Sequence, residues 1–309
     1  MRRILALCAL VSLLSGLVTA SAVSAAQSLL APEADIPAQV VAVPATGVYS
    51  GIDRIVVIVM ENHSYSQIVN NTSAPYLNSL IHRYGLATNY TGVAHPSEPN
   101  YLALFSGSTQ GVTDDAVHDF SGGNLADQLE AHGRTWRVVA ENVPGGCYRG
   151  ATFYGGPDGG GWYARKHEPA VMFKGIAGNA VRCAKITDLR HFSLTAANFQ
   201  LVVPNMCHDM HDCSVGVGDA FLKGLVSPII ANPAFAHTLV VITFDEGTDA
   251  VGGGGRVVTV LIGPTVRRAA RSSVAHTHYS LLRTIENAWS LGCLNRSCAA
   301  NDLREFFGP

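Results

Sequence analysis

The sequence predicts an α/β fold with a mostly parallel central sheet flanked by helices. Three observations carry the prediction. Continuous β-branched runs, "RIVVIVM" at 54–60 and "HTLVVITF" at 237–244 among them, have the character of strands buried on both faces. Helical segments alternate with these runs along the chain, as in layered α/β proteins. Several runs end in acidic or amide residues, which suits a sheet whose strand ends share one ligand-binding edge.

Taken in order, residues 1–26 read as an export signal. Two arginines, an apolar run interrupted by Ser15 and Gly16, and small residues ending at Ala25 and Ala26 fit that class better than a membrane anchor. Cys8 lies early in the run, so a lipoprotein is not expected. Residues 27–50, rich in Pro and Ala, read as an N-terminal arm, and residues 51–309 as one large domain. Within it the expected strands are 54–60, 135–140, 199–205, 237–247 and 256–264. Helices are expected near 74–84, after Ser97, and near 124–132, 217–230 and 278–292. The Gly-rich aromatic segment 145–167 is too long for a simple connection and reads as a loop covering a site. The "GGGG" at 252–255 precedes a strand, so it reads as a turn and not as a phosphate cradle.

Composition narrows the function. The formal net charge is -2, and loss of Arg2 and Arg3 with the leader makes it more acidic. No basic surplus points to nucleic acid, and no later apolar stretch is long enough for a membrane span. Six cysteines follow the leader: Cys147, Cys183, Cys207, Cys213, Cys293 and Cys298. In an exported chain an even count favours disulfides. The short spacings suggest Cys207 with Cys213 and Cys293 with Cys298, leaving Cys147 for Cys183, one of several connectivities open to six cysteines. No C-x-x-C pair supports a zinc site built on thiolates.

The chemistry concentrates at strand ends. "RIVVIVM" runs into Glu61 and Asn62, "LVVITF" into Asp245 and Glu246, and "FQLVVPN" is followed by "HDMHD" at 208–212. Carboxylates after strands are commonly caps or loop surface, but adjacent acidic pairs converging on one edge suit a divalent cation. Hard oxygen ligands admit calcium, magnesium or manganese, and a histidine in the shell admits zinc. Ser97, between two prolines in "AHPSEPNY", stands at the start of a helix. One reading makes it an N-cap; the other makes it a nucleophile activated beside a metal. His211 and His278 are the nearby histidines that could stabilise charge or protonate a leaving group. Arg165, Lys166 and His167 could hold an acidic head group or form a solvated basic loop.

Six stretches carry a family resemblance: "VVIVMENHSY", "AHPSEPNYLALFSG", "WYARKHEPAVMF", "PNMCHDMHDCSVGVGDAFL", "TFDEG" and "HYSLLRTIENAWSLG". In this order, over roughly residues 52–292, the chain resembles the bacterial phosphoesterase family of secreted acid phosphatases and phospholipases C. It is most similar to the short mycobacterial-type acid phosphatases, the phosphatidylinositol 3-phosphatase group. The resemblance implies an alkaline-phosphatase-like fold, a transiently phosphorylated serine and a phosphate-ester substrate, phospholipid head groups included. By motif, Ser97 would be the nucleophile, with Glu61, Asn62, Asp245 and Glu246 around the metal. His211 and His278 would contact phosphate or leaving group, and Asn100, one turn after Ser97, would face the same pocket. The chain departs from the family pattern at His63 and His208. The competing functions are a phosphodiesterase of the phospholipase C type, a non-catalytic metal-binding exported protein, and a Ser-His-Asp acyl hydrolase. The last lacks a G-x-S-x-G elbow.

Overall fold

The computed structural model describes residues 47–155 and 162–308. The segment read as an export signal, most of the one read as an arm, and the middle of the Gly-rich segment lie outside the described residues. Strands are β1 (Arg54–Met60), β2 (Gly85–Thr91), β3 (Trp136–Ala140), β4 (Thr152–Phe153), β5 (Tyr163–Ala164), β6 (Ile186–Thr187), β7 (Phe199–Val203), β8 (Thr238–Phe244), β9 (Arg256–Ile262), β10 (Arg271–Ser272) and β11 (His276–Thr277). Helices are α1 (Tyr65–Ile68), α2 (Pro75–Arg83), α3 (Glu98–Ser106), α4 (Leu125–Ala131), α5 (Lys174–Ala177), α6 (Ala180–Cys183), α7 (Val215–Ala231) and α8 (His278–Trp289).

The central sheet runs in the order β10-β2-β9-β8-β1-β7-β3-β6, with β11 extending the pairing of β2. Strands β8, β1, β7, β3 and β6 are mutually parallel, whereas β9 is antiparallel to both β8 and β2. β1 lies near the middle, and residues 55–60 are all buried, which accounts for its unbroken apolar run. One strand end is therefore the meeting place for the loops after β1, β7, β8 and β2, for the turn entering β9, and for the start of α8.

Helix ends are fixed by specific partners. The Asp219 carboxylate on α7 accepts the Tyr76 and Leu77 amides at the start of α2, satisfying two of its free donors. The "GGGG" turn joins β8 to β9 as expected and passes against the end of β2. A Cβ on Gly92 would stand 2.6 Å from the Gly254 carbonyl oxygen, so this crossing requires glycine. The three disulfides are Cys147–Cys183, Cys207–Cys213 and Cys293–Cys298. The second closes the loop that carries "HDMHD".

Glu286 on α8 is a fully buried acidic residue away from the sheet edge; its Oε2 accepts the Ser297 hydroxyl at 2.6 Å, and its Oε1 has no partner among the described residues. Burial pushes its carboxyl from 4.5 to about 7. A raised folded-state value gives stability that is present below the unfolded value and is lost as pH rises through 7. Glu286→Gln, neutral throughout, is expected to remove that loss. In urea unfolding between pH 4 and pH 8, the wild type should lose up to ~3 kcal/mol more than the variant. Parallel pH profiles for the two proteins would show that Glu286 does not titrate this way.

Candidate active site

The convergent edge gathers an acidic cluster. Glu61 follows β1 directly and is fully buried; its backbone N–H is held by the Asp209 carbonyl at 2.8 Å. Tyr101 on α3 donates its hydroxyl to Glu61 Oε1. Asp245 follows β8, its N–H bonded to the Met60 carbonyl, so β1 and β8 present their acidic ends side by side. Its Oδ1 accepts the Asn62 amide at 3.1 Å, an approach made by Asn62 in the left-handed region at φ 56°. Asp245 Oδ2, Asp209 Oδ2 and His167 Nε2 are buried without a hydrogen-bond partner among the described residues.

These groups repel one another. Burial, then the charges of Asp245 and Asp209, raise the Glu61 carboxyl well above its ordinary value. Burial, with Glu246 beside it, lifts Asp245 to about 7. Burial likewise raises Asp209 and Glu246. Orphaned acceptors that repel each other are chemically suited to a cation. Ligand atoms of Glu61, His167 and Asp209 lie within 4.8 Å of one another.

Ser97 lies inside this cluster and is 1% exposed. Its Oγ stands 3.2 Å from Glu61 Oε2 and 3.4 Å from Glu246 Oε1. It makes no side-chain cap bond, and its backbone is already helical at φ -62°, ψ -48°. The cap comes instead from Asp115, whose Oδ1 accepts the Glu98 N–H at 3.0 Å. That contact also occupies the first amide of α3, which therefore is not open to a phosphate.

Several expected site residues take other positions. Asn100 is committed to the preceding loop: Oδ1 accepts the Val93 and Ala94 amides, and Nδ2 donates to the Ala94 and Pro96 carbonyls. It braces the chain that delivers Ser97 and does not face the pocket. His278 is buried with both ring nitrogens engaged, Nε2 with the Asp245 carbonyl at 2.5 Å and Nδ1 with the Tyr90 hydroxyl at 3.1 Å. Burial lowers it to about 4, so it is a neutral support beneath Asp245 and not a substrate contact. Arg165 is also buried and donates to Asp119 and to the His118 carbonyl. Its Nη2 therefore ties a loop, while Nε and Nη1 are buried without a hydrogen-bond partner among the described residues.

His167 enters the acidic cluster. It stacks on Tyr101 at 5.1 Å, with Nε2 3.4 Å from Glu61 and Nδ1 3.6 Å from Asp209. Lys166 pairs with Asp115 at 2.9 Å, close enough to Glu61 and Asp209 for its charge to favour their ionised forms. His211 stands beside the cluster, its ring 6.3 Å from that of His167, with its backbone N–H on Asp209 Oδ1 at 2.8 Å.

Two further residues join the site. Asp209 belongs to "HDMHD", but its particular role depends on where the β7 loop turns. His95, two residues before Ser97, pairs through Nδ1 with Glu246 Oε2 and through Nε2 with the Asp249 carbonyl. A histidine so near a candidate nucleophile was the available sequence signal. At the two departures from the family pattern, His63 Nδ1 meets the Glu61 carbonyl and His208 Nδ1 meets Glu141.

A model of the phosphoesterase family matches residues 67–292. The chain belongs to the phosphoesterase family. It is 32% identical over 267 residues to the phosphate-repressible acid phosphatase of Penicillium chrysogenum, covering 82% of this chain and 63% of the fungal one. It spans about three fifths of the length of the fungal acid phosphatases it matches, 63%, 59% and 58% for three of them. It is also 32% identical over 259 residues to the phosphatidylinositol-3-phosphatase of Mycobacterium tuberculosis, covering 82% of this chain and 83% of that one. Among solved structures, the lipoteichoic acid synthase LtaP from Listeria monocytogenes aligns with TM-score 0.60 at 11% identity, over 87% and 79% of the two chains. An alkaline phosphatase superfamily protein from Vibrio parahaemolyticus aligns at 0.53 and 10% identity, over 82% and 69%. The chain thus has the alkaline-phosphatase-like α/β fold.

Proposed function

We propose that this protein is an exported phosphomonoesterase of the acid phosphatase type, working through a phosphorylated Ser97. The observation that carries the proposal is Ser97 itself, a buried hydroxyl with no capping duty, held between Glu61 and Glu246 at the edge of an acidic cluster. Ser97 Oγ attacks phosphorus as its proton passes to one of these carboxylates, and the bond to the leaving oxygen breaks. His211 donates a proton to that oxygen. Water then cleaves the phosphoserine, releasing phosphate and restoring the hydroxyl.

The residues fit a divalent cation. Glu61, Asp245, Asp209 and His167 supply the orphaned or repelling donors, with Glu246 and Asn62 at the margin. Bound there, the ion supplies positive charge to neutralise the cluster and to favour the serine alkoxide. Lys166, at the same edge, adds positive charge for an anionic ester. Substrates of the phosphoinositide class are supported by the relative from Mycobacterium tuberculosis. The disulfides favour an oxidising compartment, and no helix among the described residues is long and apolar enough to cross a membrane.

The test compares p-nitrophenyl phosphate with bis-p-nitrophenyl phosphate, each with and without chelator. Preferred monoester turnover, lost on chelation and restored by one of Ca²⁺, Mg²⁺, Mn²⁺ or Zn²⁺, is expected. Preferred diester turnover would move the reading to a phospholipase C-type enzyme. Full activity in chelator would remove the cation from it.

A further inference from the structure

We infer that Asp212 and the Trp162 indole form a brace that sets the orientation of His211, a positioning role for two residues outside the acidic cluster. The inference rests on the reading of His211 as the proton donor to the leaving oxygen. Both oxygens of the Asp212 carboxylate are engaged. Oδ1 lies 2.7 Å from His211 Nδ1, and Oδ2 accepts the Trp162 Nε1–H at 2.8 Å. In the doubly protonated ring that acts as the donor, the carboxylate accepts the Nδ1–H, so the Nε2–H is the proton aimed at the leaving oxygen. The indole bond prevents the carboxylate from turning away, because rotation would break it.

The backbone supports the same arrangement. The Asp212 N–H is bonded to the Met206 carbonyl at 2.8 Å, and the Met206 N–H to the Trp162 carbonyl at 3.1 Å. The Cys207–Cys213 bridge closes the loop between them. Trp162 therefore grips one short loop twice, by its main chain and by its indole. Its other face stacks on Tyr154 at 5.1 Å with the planes 28° apart. His211 is in turn tied by its own backbone N–H to Asp209. An acidic side chain serving only solubility would not have both oxygens occupied by donors from separate segments of chain.

A positioning role has a signature that a merely structural one lacks. Loss of proton donation slows esters with poor leaving groups far more than esters whose leaving group departs as a stable anion. The experiment measures kcat/KM for glycerol 2-phosphate and for p-nitrophenyl phosphate in wild type, His211→Gln, Asp212→Asn and Trp162→Phe. Asp212→Asn keeps the side-chain shape but presents an amide to the ring. Trp162→Phe keeps an aromatic ring against Tyr154 and removes only the N–H donor. Asp212→Asn is expected to lower glycerol 2-phosphate turnover by about 10–100-fold and p-nitrophenyl phosphate turnover by less than about threefold. Trp162→Phe should shift the ratio of the two substrates in the same direction by about 3–10-fold, and His211→Gln should shift it the most. If His211→Gln shifts the ratio while neither of the others does, the brace is overturned and the proton donor stands. If His211→Gln leaves the ratio at its wild-type value, the reading of His211 fails, and the brace fails with it. Should Asp212→Asn not fold, Trp162→Phe alone decides.

Discussion

Ser97→Ala is expected to lower kcat for p-nitrophenyl phosphate by about 10⁴–10⁶-fold, because the substitution removes the atom that attacks phosphorus. Acid quenching of the wild type during turnover should trap one phosphoserine per chain, and the variant should trap none. A serine that caps a helix costs about 1 kcal/mol when replaced by alanine. Ser97 makes no cap bond, and Asp115 fills that place. The variant should therefore lose no cap bond, and any change in its stability should come from the contacts of the hydroxyl with Glu61 and Glu246. A variant that still turns over substrate at the wild-type rate would remove Ser97 as the nucleophile.

The two readings of Ser97 look alike in the sequence, since a serine before Glu-Pro-Asn at a helix start satisfies both. They separate only when Asp115, 18 residues away, is seen to take the amide. The same limit explains the other reassignments. Arg165, Lys166 and His167 are consecutive, and sequence treats them as one basic patch. In the fold they diverge to Asp119, to Asp115 and to the Glu61–Asp209 pair. His278 was legible as a histidine at the start of α8, but its fate depends on the Asp245 carbonyl and the Tyr90 hydroxyl closing on its two nitrogens. What a motif conveys is the residue's arrival at the sheet edge; which atom it meets there is a non-local matter.

Strands show a similar division. β1 and β8 were readable because burial on both faces leaves no polar position to interrupt the run. β2, "GLATNYT", was not, since it carries Gly and Asn, is exposed at Asn89, and has a register shift between Ala87 and Tyr90. The antiparallel direction of β9 was also hidden, because its burial pattern matches that of β1. β2 nevertheless matters to the site, as it delivers the chain to His95 and Ser97. The disulfides were more legible, because two pairs lie close in sequence and leave a single partner for each remaining cysteine.

The largest effect away from the nucleophile is expected at Asp245, where the effect on stability should reverse sign when the cation is restored. Asp245→Asn preserves the acceptor for the Asn62 amide and removes one negative charge from among Glu61, Asp209 and Glu246. With chelator present, that charge is a burden on the folded state. Its carboxyl is raised from 3.8 to about 7, so its stabilising protonated form is lost as pH rises through 7. At pH 8 the chelated variant should accordingly be more stable than chelated wild type by about 2–4 kcal/mol. Restoring a divalent cation should invert the order. The wild type gains RT ln(1 + [L]/Kd) from binding, while the variant, one ligand short, gains less and binds less metal per chain. Its kcat should fall by about 10²–10³-fold, the share of barrier lowering that positive charge at a phosphoryl group supplies. Calorimetry on both proteins, with and without cation, beside metal analysis, reads all three quantities. A chelated variant less stable than chelated wild type would mean that Asp245 is held by the protein itself. The cluster would then be a structural network, and its orphaned oxygens would need another explanation.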